Sequence, residues 1–325
     1  MIRGRGFLLA SATMLLLAGC THDPSSATDG HAESLPQTAA GETLAKGVTH
    51  EAIQTGDSEG VDLIDVAMPN SAVALQVGAE DVASVNGSIT AVARTPDDWL
   101  SDEHVVAAVN GGYFGADHGD RKEIVGLLVT EGRVRHAAPP IQGSGSANLA
   151  PASYVRSAFG IMADGTPRIT WAATRPGAPQ TLYAYPGPIL NGAGRSGRRL
   201  KSWHPDMAIG CGPSLIHNGV IDITDRLERL VNPVPCPRTF VAYGEPGGAQ
   251  HFVMGIASSM TYRQVAEFLV KYFADHHYGT PWAAMCLDGG ASTQMSYRAG
   301  GTKTHPRYTG VTVADCLMIV TKDTP

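Results

Sequence analysis

Two segments of this chain carry polar side chains at the ends of apolar runs, each followed by paired glycines. In the first, Val105-Val-Ala-Ala-Val leads into Asn110, Gly111, Gly112, Tyr113 and Phe114. In the second, Trp282-Ala-Ala-Met-Cys-Leu leads into Asp288, Gly289 and Gly290, then Ser292 and Thr293. Glycine permits positive φ and close backbone approach. A carboxylate, an amide, two hydroxyls and free N–H groups can therefore gather round a small polar ligand. Either turn alone is a common device of strand ends, whereas two of the same design suggest one site built from both. In such a site Asp288 is the candidate acid, base or charge stabiliser. Asn110, Ser292, Thr293 and the four glycines are candidate ligand contacts, and Tyr113 or Phe114 offers a stacking face. Glu123, after the polar loop Asp117–Lys122, is a lesser candidate for a second carboxylate.

The elements that must position these residues are mostly strands. Val61–Ala67 partly alternates apolar and polar residues. Three apolar pairs flank short turns: Glu131-Gly132, Ala163-Asp164-Gly165 and Asn218-Gly219. Such Gly-containing turns between apolar runs predict hairpins. One amphipathic helix is expected over 261–277. Thr261 and Gln264 form a capping box, and Val265, Phe268, Leu269, Tyr272 and Phe273 line one face. His276 and His277 fall at its C-terminus, where they read as capping residues and not metal ligands. These elements predict an α+β fold: one domain over 51–325, with a mixed, strand-rich sheet core and this single main helix.

The chain begins differently. Residues 1–19 read as a signal peptide, with Arg3 and Arg5 before an apolar run that is short for a membrane span. Leu17-Ala-Gly-Cys20 resembles a bacterial lipobox, which predicts lipidation of Cys20 and an exported lipoprotein anchored to a membrane of the cell envelope. Residues 20–50 read as the lipidated cysteine and a polar tether. The other cysteines, Cys211, Cys236, Cys286 and Cys316, are even in number in an oxidising compartment, so disulfides are expected. Three pairings are open; Cys211–Cys236 with Cys286–Cys316 is preferred because each closes a modest loop beside a candidate site segment. Zinc is disfavoured by the lack of short paired cysteine spacing.

Formal net charge is −6, and loss of the leader with Arg3 and Arg5 lowers it further, which argues against nucleic acid. Gly192, Gly194 and Gly197 match GxGxxG, but no helix pattern follows, which argues against a dinucleotide site. The basic run Arg195–Lys201 reads as an exposed loop or one that steers an anionic substrate. No cofactor is expected. A divalent cation at Asp288 is not excluded, although no ligand cluster supports it.

The order of motifs resembles the phosphodiester glycosidase family. The matching segments are Asn110–Phe114, Gly126–Arg133, Phe159–Gly165, Gly212–Gly219, Pro237-Arg-Thr239, the helix from Tyr262, Leu287–Ser292, and Pro306-Arg307 before a final strand. The resemblance covers Val105 to Val320. It implies hydrolysis of a sugar-1-phosphodiester in an envelope or extracellular glycan. The leaving group, a phosphate monoester, needs less acid assistance than an ordinary alkoxide. Arg238 is then the candidate phosphate cation, with Arg307 second. Asp288 would stabilise the oxocarbenium-like state or activate water, and Thr239 would sit near the phosphate. Two departures stand out. Ala291 replaces a third glycine, and Phe252–Ser259 lacks the Asp-Gly-Arg or Asp-Gly-Gln common in the family. The second departure leaves an alternative, a catalytically silent lipoprotein that binds a glycan or sugar phosphate. A serine hydrolase is disfavoured, because Gly290-Ala-Ser-Thr-Gln294 lacks the second glycine of a nucleophile elbow.

Overall fold

A computed structural model describes residues 41–56, 60–138, 155–175, 177–188, 201–245 and 250–322. The leader, Cys20, Gly192, Gly194, Gly197 and the basic run up to Leu200 lie outside the described residues.

The three predicted hairpins form. Leu128–Thr130 pairs with Arg133–His136 across Glu131 and Gly132, whose φ values are +52° and +67°. Arg156–Ile161 pairs with Pro167–Arg175. Ser214–His217 pairs with Val220–Ile221 across Asn218 and Gly219, at φ +51° and +76°. Left-handed conformation at both central residues matches the twist of the flanking strands.

Among the described residues the strands form four sheets, of eight, seven, five and four strands. The eight-stranded sheet runs from Glu42–Ala45 at one edge to Val220–Ile221 at the other, with Gln250–Met260, Cys236–Gly244 and Pro281–Cys286 at its centre. In the five-stranded sheet, Val105–Asn110 lies between Met295–Ala299 and Cys316–Thr321 and is buried along its whole length. The largest apolar core draws on all four sheets. It joins Ile64, Phe252 and Met285, Val109 and Leu317, and Phe159 and Ile209.

The expected α+β fold with a mixed sheet is corrected by these observations. Only two α-helices occur among the described residues, one of them the short Pro96–Trp99, and every strand pairing there is antiparallel. The fold is β-rich. The physical reason lies in the turns: tight Gly turns return the chain at once, whereas parallel pairing needs long crossovers.

The main helix, Tyr262–Asp275, starts at the predicted capping box and ends two residues short of the predicted boundary. His276 is its C-cap, with Nδ1 2.9 Å from the Tyr272 carbonyl oxygen. Val265, Leu269, Tyr272 and Phe273 pack on Leu63, Phe240 and Val253 of the eight-stranded sheet. Burying each side chain contributes roughly 1.5–3 kcal/mol. Tyr272 also donates to Glu51 at 2.8 Å, which fastens the helix to the sheet.

The disulfide expectation is also corrected: Cys211, Cys236, Cys286 and Cys316 are buried and no disulfide joins them. The members of the expected second pair belong to different apolar clusters. Cys286 lies under the helix, and Cys316 packs with Leu100 and Val313. Burial raises the Cys286 thiol to about 12, as it raises Cys211 and Cys316.

One buried carboxylate joins two sheets. Glu228 accepts from the Ser157 N–H and hydroxyl at 2.8 and 2.9 Å, and from Trp171 Nε1 at 2.9 Å, all in the seven-stranded sheet. It also accepts from the Ser214 N–H at 3.1 Å and from the Thr224 hydroxyl, on the eight-stranded side. Burial raises its pKa against the pull of these donors. Glu228→Ala strands several buried donors. The expected loss is about 3–5 kcal/mol, seen as a Tm fall of about 10 °C or more in thermal unfolding. Unchanged Tm would show that the two sheets do not depend on this carboxylate.

Candidate active site

Asn110 ends the central strand of the five-stranded sheet with its side chain fully buried. Its Nδ2 donates to the Asp288 carbonyl at 2.7 Å. Its Oδ1 accepts from the Thr239 hydroxyl at 2.6 Å and from the Gln294 N–H at 3.1 Å. A backbone N–H can only donate and a carbonyl can only accept, so these neighbours dictate the amide's orientation. The two glycine turns are thereby tied together, as their shared design suggested. The Asp288 N–H completes the link by donating to the Gly111 carbonyl at 3.0 Å.

A second acid stands behind the first turn. Asp315 is buried immediately before the last strand, Cys316–Thr321. Its carbonyl accepts from Gly111 N–H at 2.9 Å, and its Oδ1 accepts from Gly112 N–H at 2.6 Å. A Cβ at Gly111 would collide with this carboxylate, so only glycine fits there. Gly112 is confined between Asp315 and Ile209, where a Cβ would stand 2.9 Å from Ile209 Cγ2.

Asp288 sits where the Pro281–Cys286 strand gives way to the short 3-10 turn Gly290–Ser292. Its Oδ1 accepts from Gly289 N–H at 2.9 Å, and the Ser292 hydroxyl also bonds it. Gly290 uses its freedom at φ +63°. At Gly289 the constraint is space: a Cβ there would lie 3.0 Å from the Pro237 carbonyl oxygen and 3.9 Å from Arg238 Cδ. Arg238 is therefore beside the acidic turn. It is 4 % exposed and lies over the Tyr262 ring at 4.0 Å. Its Nε donates to Met260 O at 3.0 Å, and its Nη2 to Asn232 O and Val234 O at 3.3 and 3.2 Å.

Tyr113 packs on the other side. Its hydroxyl donates to Gly212 O at 2.8 Å, and the Arg156 guanidinium lies 5.2 Å from its ring centre. Burial is the main force on its hydroxyl, raising the pKa well above the usual range, and the charges of Cys211, Tyr262 and Asp288 add to that while Arg156 opposes it. Tyr113, Asp288, Arg238, Ser292 and the glycines thus form one locus. Asn110 and Thr239 stand beneath it, with their polar atoms committed to the scaffold. Thr293 and Arg307 lie on its far side: Arg307 Nε donates to Thr293 O at 2.9 Å, and the buried Thr293 hydroxyl has no partner. Phe114 packs elsewhere, under Lys122. Glu123 belongs to the four-stranded sheet, where it accepts from the Ser88 hydroxyl at 2.8 Å.

Sequence reasoning missed Asp315, Arg156 and the ring of Tyr262. A signal for Asp315 did exist, since Val313-Ala-Asp-Cys-Leu-Met also places an acid beside an apolar strand. Nothing local marks Arg156.

The two acids share an electrostatic fate. Burial pushes the Asp288 carboxyl up to about 6, opposed by the bonds from Ser292 and Gly289, and the Asp315 charge pushes the same way as burial. Burial likewise raises Asp315 to about 6 against the Gly112 bond. Near pH 6 the pair therefore holds both a proton donor and a proton acceptor. Among the described residues, no group of three or more His, Cys, Asp or Glu is placed to hold a metal ion.

A family description, phosphodiester glycosidase, matches residues 103–320. No curated protein matches the chain. A crystal structure of a hypothetical protein from Synechocystis is similar at 13% identity and TM-score 0.50, covering 85% of this chain and 62% of that one. This chain therefore spans less than two thirds of that protein, and the likeness is one of fold. A putative exported protein from Burkholderia pseudomallei aligns at 13% identity and TM-score 0.49, over 84% of this chain and 74% of that one. The zebrafish N-acetylglucosamine-1-phosphodiester alpha-N-acetylglucosaminidase catalytic domain, auto-inhibited by its pro-peptide, aligns at 17% identity and TM-score 0.46, over 91% and 87%.

The raised carboxyls make a stability prediction. Between about pH 4 and 6 the folded chain keeps protons that the unfolded chain has released. Stability contributed by these groups therefore falls as pH rises through that window and levels off above it. Asp315→Asn keeps an acceptor for Gly112 N–H but removes the charge. Thermal melts from pH 4 to 8 should show a flatter slope and a gain on the order of 2 kcal/mol at pH 8. A slope equal to wild type would remove Asp315 from this account.

Proposed function

The chain belongs to the phosphodiester glycosidase family, and from that premise we propose that it hydrolyses a sugar-1-phosphodiester of an envelope or extracellular glycan. The observation that carries this reading is the Asp288 carboxylate, held by Gly289 and Ser292 on a turn beside Arg238. Cleavage at the anomeric C–O bond builds positive charge on the sugar and releases a phosphate monoester. Ionised Asp288 stabilises that charge, or takes a proton from the attacking water. The Arg238 guanidinium supplies positive charge for the departing phosphate. Ser292, Thr293 and Arg307 offer further contacts, and the Tyr113 ring offers an apolar face to the sugar.

The family's usual Asp-Gly-Arg or Asp-Gly-Gln has no counterpart in the strand Gln250–Met260. Asp315 places a second carboxyl against the Gly111–Gly112 turn from another strand. A second reading, a silent glycan-binding protein, is favoured by one observation. Arg238 already gives Nε and Nη2 to three backbone carbonyls, which leaves fewer donors for a phosphate. The two readings part in one assay, release of free sugar from a panel of sugar-1-phosphodiesters. On the enzyme reading, wild type turns over and Asp288→Asn loses about 10²–10⁴-fold while its Tm stays within a few degrees. The wild-type rate should rise with pH through an apparent pKa near 6 that belongs to the acid pair. A bound sugar phosphate without turnover would establish the silent reading, and a fully active Asp288→Asn would overturn the site.

Export and anchoring complete the proposal. The lipobox-like Leu17–Cys20 supports a lipid on Cys20. Labelled fatty acid should enter the wild-type chain in a bacterial host and fail to enter Cys20→Ser. Equal labelling of both would end the lipoprotein reading.

A further inference from the structure

Six large apolar side chains are exposed among the described residues, and three of them share one short strap: Leu227, Val231 and Val234, at 41 %, 55 % and 48 %. Single exposed apolar residues need no explanation, but a cluster does. Pro233 and Pro235 are exposed in the same strap, as are Arg226 and Arg229. Its two acids are Asp225 and Glu228. Glu228 is buried, and the half-buried Asp225 accepts from the Arg226 N–H at 2.7 Å.

The strap, residues 225–235, is fastened from below. Glu228 and Leu230 point into the protein, and Leu230 O accepts from the Tyr262 hydroxyl at 3.2 Å. Arg238 Nη2 holds the Asn232 and Val234 carbonyls. The outward residues 227, 229 and 231 therefore stand on a fixed support. The strap also borders the candidate site, for Arg238 is beside Gly289, and a Cβ at Gly212 would lie 3.0 Å from Leu230 Cδ1.

We propose that the strap is a lipid-bilayer docking surface, and that the phosphodiester presented to the site is carried on a lipid. The second clause rests on the activity proposed above; the first does not. Apolar tips among arginines suit the boundary between acyl chains and anionic headgroups. Chain length agrees with this. The segment from Cys20 to Gly41 reaches at most about 70 Å. The eight-stranded sheet puts Glu42–Ala45 and Val220–Ile221 on opposite edges, about 34 Å apart at ordinary strand spacing. A chain tethered at Cys20 can therefore bring this edge to the same membrane.

The test uses the chain from Thr21 onward, which lacks the lipid and keeps every described element. It is sedimented with vesicles of phosphatidylethanolamine and phosphatidylglycerol. Wild type should co-sediment, and Leu227→Ser/Val231→Ser should bind about tenfold less at unchanged Tm. Arg226→Gln should weaken binding only where phosphatidylglycerol is present. No wild-type sedimentation, or equal sedimentation of the double variant, overturns the proposal. Vesicle-independent self-association lost in the double variant also overturns it, in favour of a second copy of the chain. Turnover of a soluble sugar-1-phosphodiester, unchanged in the double variant, keeps the two proposals separate. Vesicle binding without turnover defeats the activity alone, and turnover without vesicle binding defeats the docking alone.

Discussion

A single buried amide carries the architecture of the site. Asn110 meets a carbonyl, a hydroxyl and an N–H from two other segments of the chain, and each has the polarity it needs. Such a network is strong because its alternative is expensive: an unpaired polar group in a dry interior loses its water and gains nothing. The strand Val105–Asn110 is apolar up to this residue, and the Gly111–Gly112 turn begins immediately after it. The amide thus marks the boundary between an apolar strand and a buried turn whose backbone groups are held by Asp288 and Asp315. It also couples the five-stranded sheet to the eight-stranded one through Asp288 and Thr239.

From that boundary follows the electrostatic character of the site. Two aspartates are anchored to the same two glycines, one through Gly111 O and the other through Gly111 N–H and Gly112 N–H. Both are drawn out of water, so both resist ionisation. The arginines nearby are set against aromatic rings, Arg238 on Tyr262 and Arg156 on Tyr113. A ring face accepts a cation without neutralising it, so both guanidiniums keep their positive charge beside the acidic turns. Glu228 is the contrasting case. Its five donors bind it from both sheets and leave it no role except to hold them together.

Much of this was legible in the sequence, for local reasons. The Glu131-Gly132 and Asn218-Gly219 turns, the Thr261–Gln264 box and the two glycine runs act over a few residues, and their chemistry does not depend on the rest of the chain. The fold class was not legible, because one strongly periodic helix gives a clear signal whereas the many short strands pair antiparallel both through hairpins and across long stretches of chain. The absence of disulfides was not legible, because even cysteine counts and loop lengths say nothing of distance. In the folded chain Cys286 and Cys316 lie in separate apolar clusters.

The sequence by itself determined where the turns fall, which face of the helix is apolar, and which two segments end in chemistry. It could not determine that Asp315 stands behind Gly112, that Arg156 faces Tyr113, or that the strap 225–235 turns its valines outward beside Arg238. The first two pairs are separated by 203 and 43 residues, and only the packing of several sheets around a common core brings them within contact; the strap is near Arg238 in the chain, but its outward face is set by what packs beneath it. Local propensity and periodicity are properties of neighbours along the chain. Burial, and every raised carboxyl that follows from it, is a property of neighbours in space.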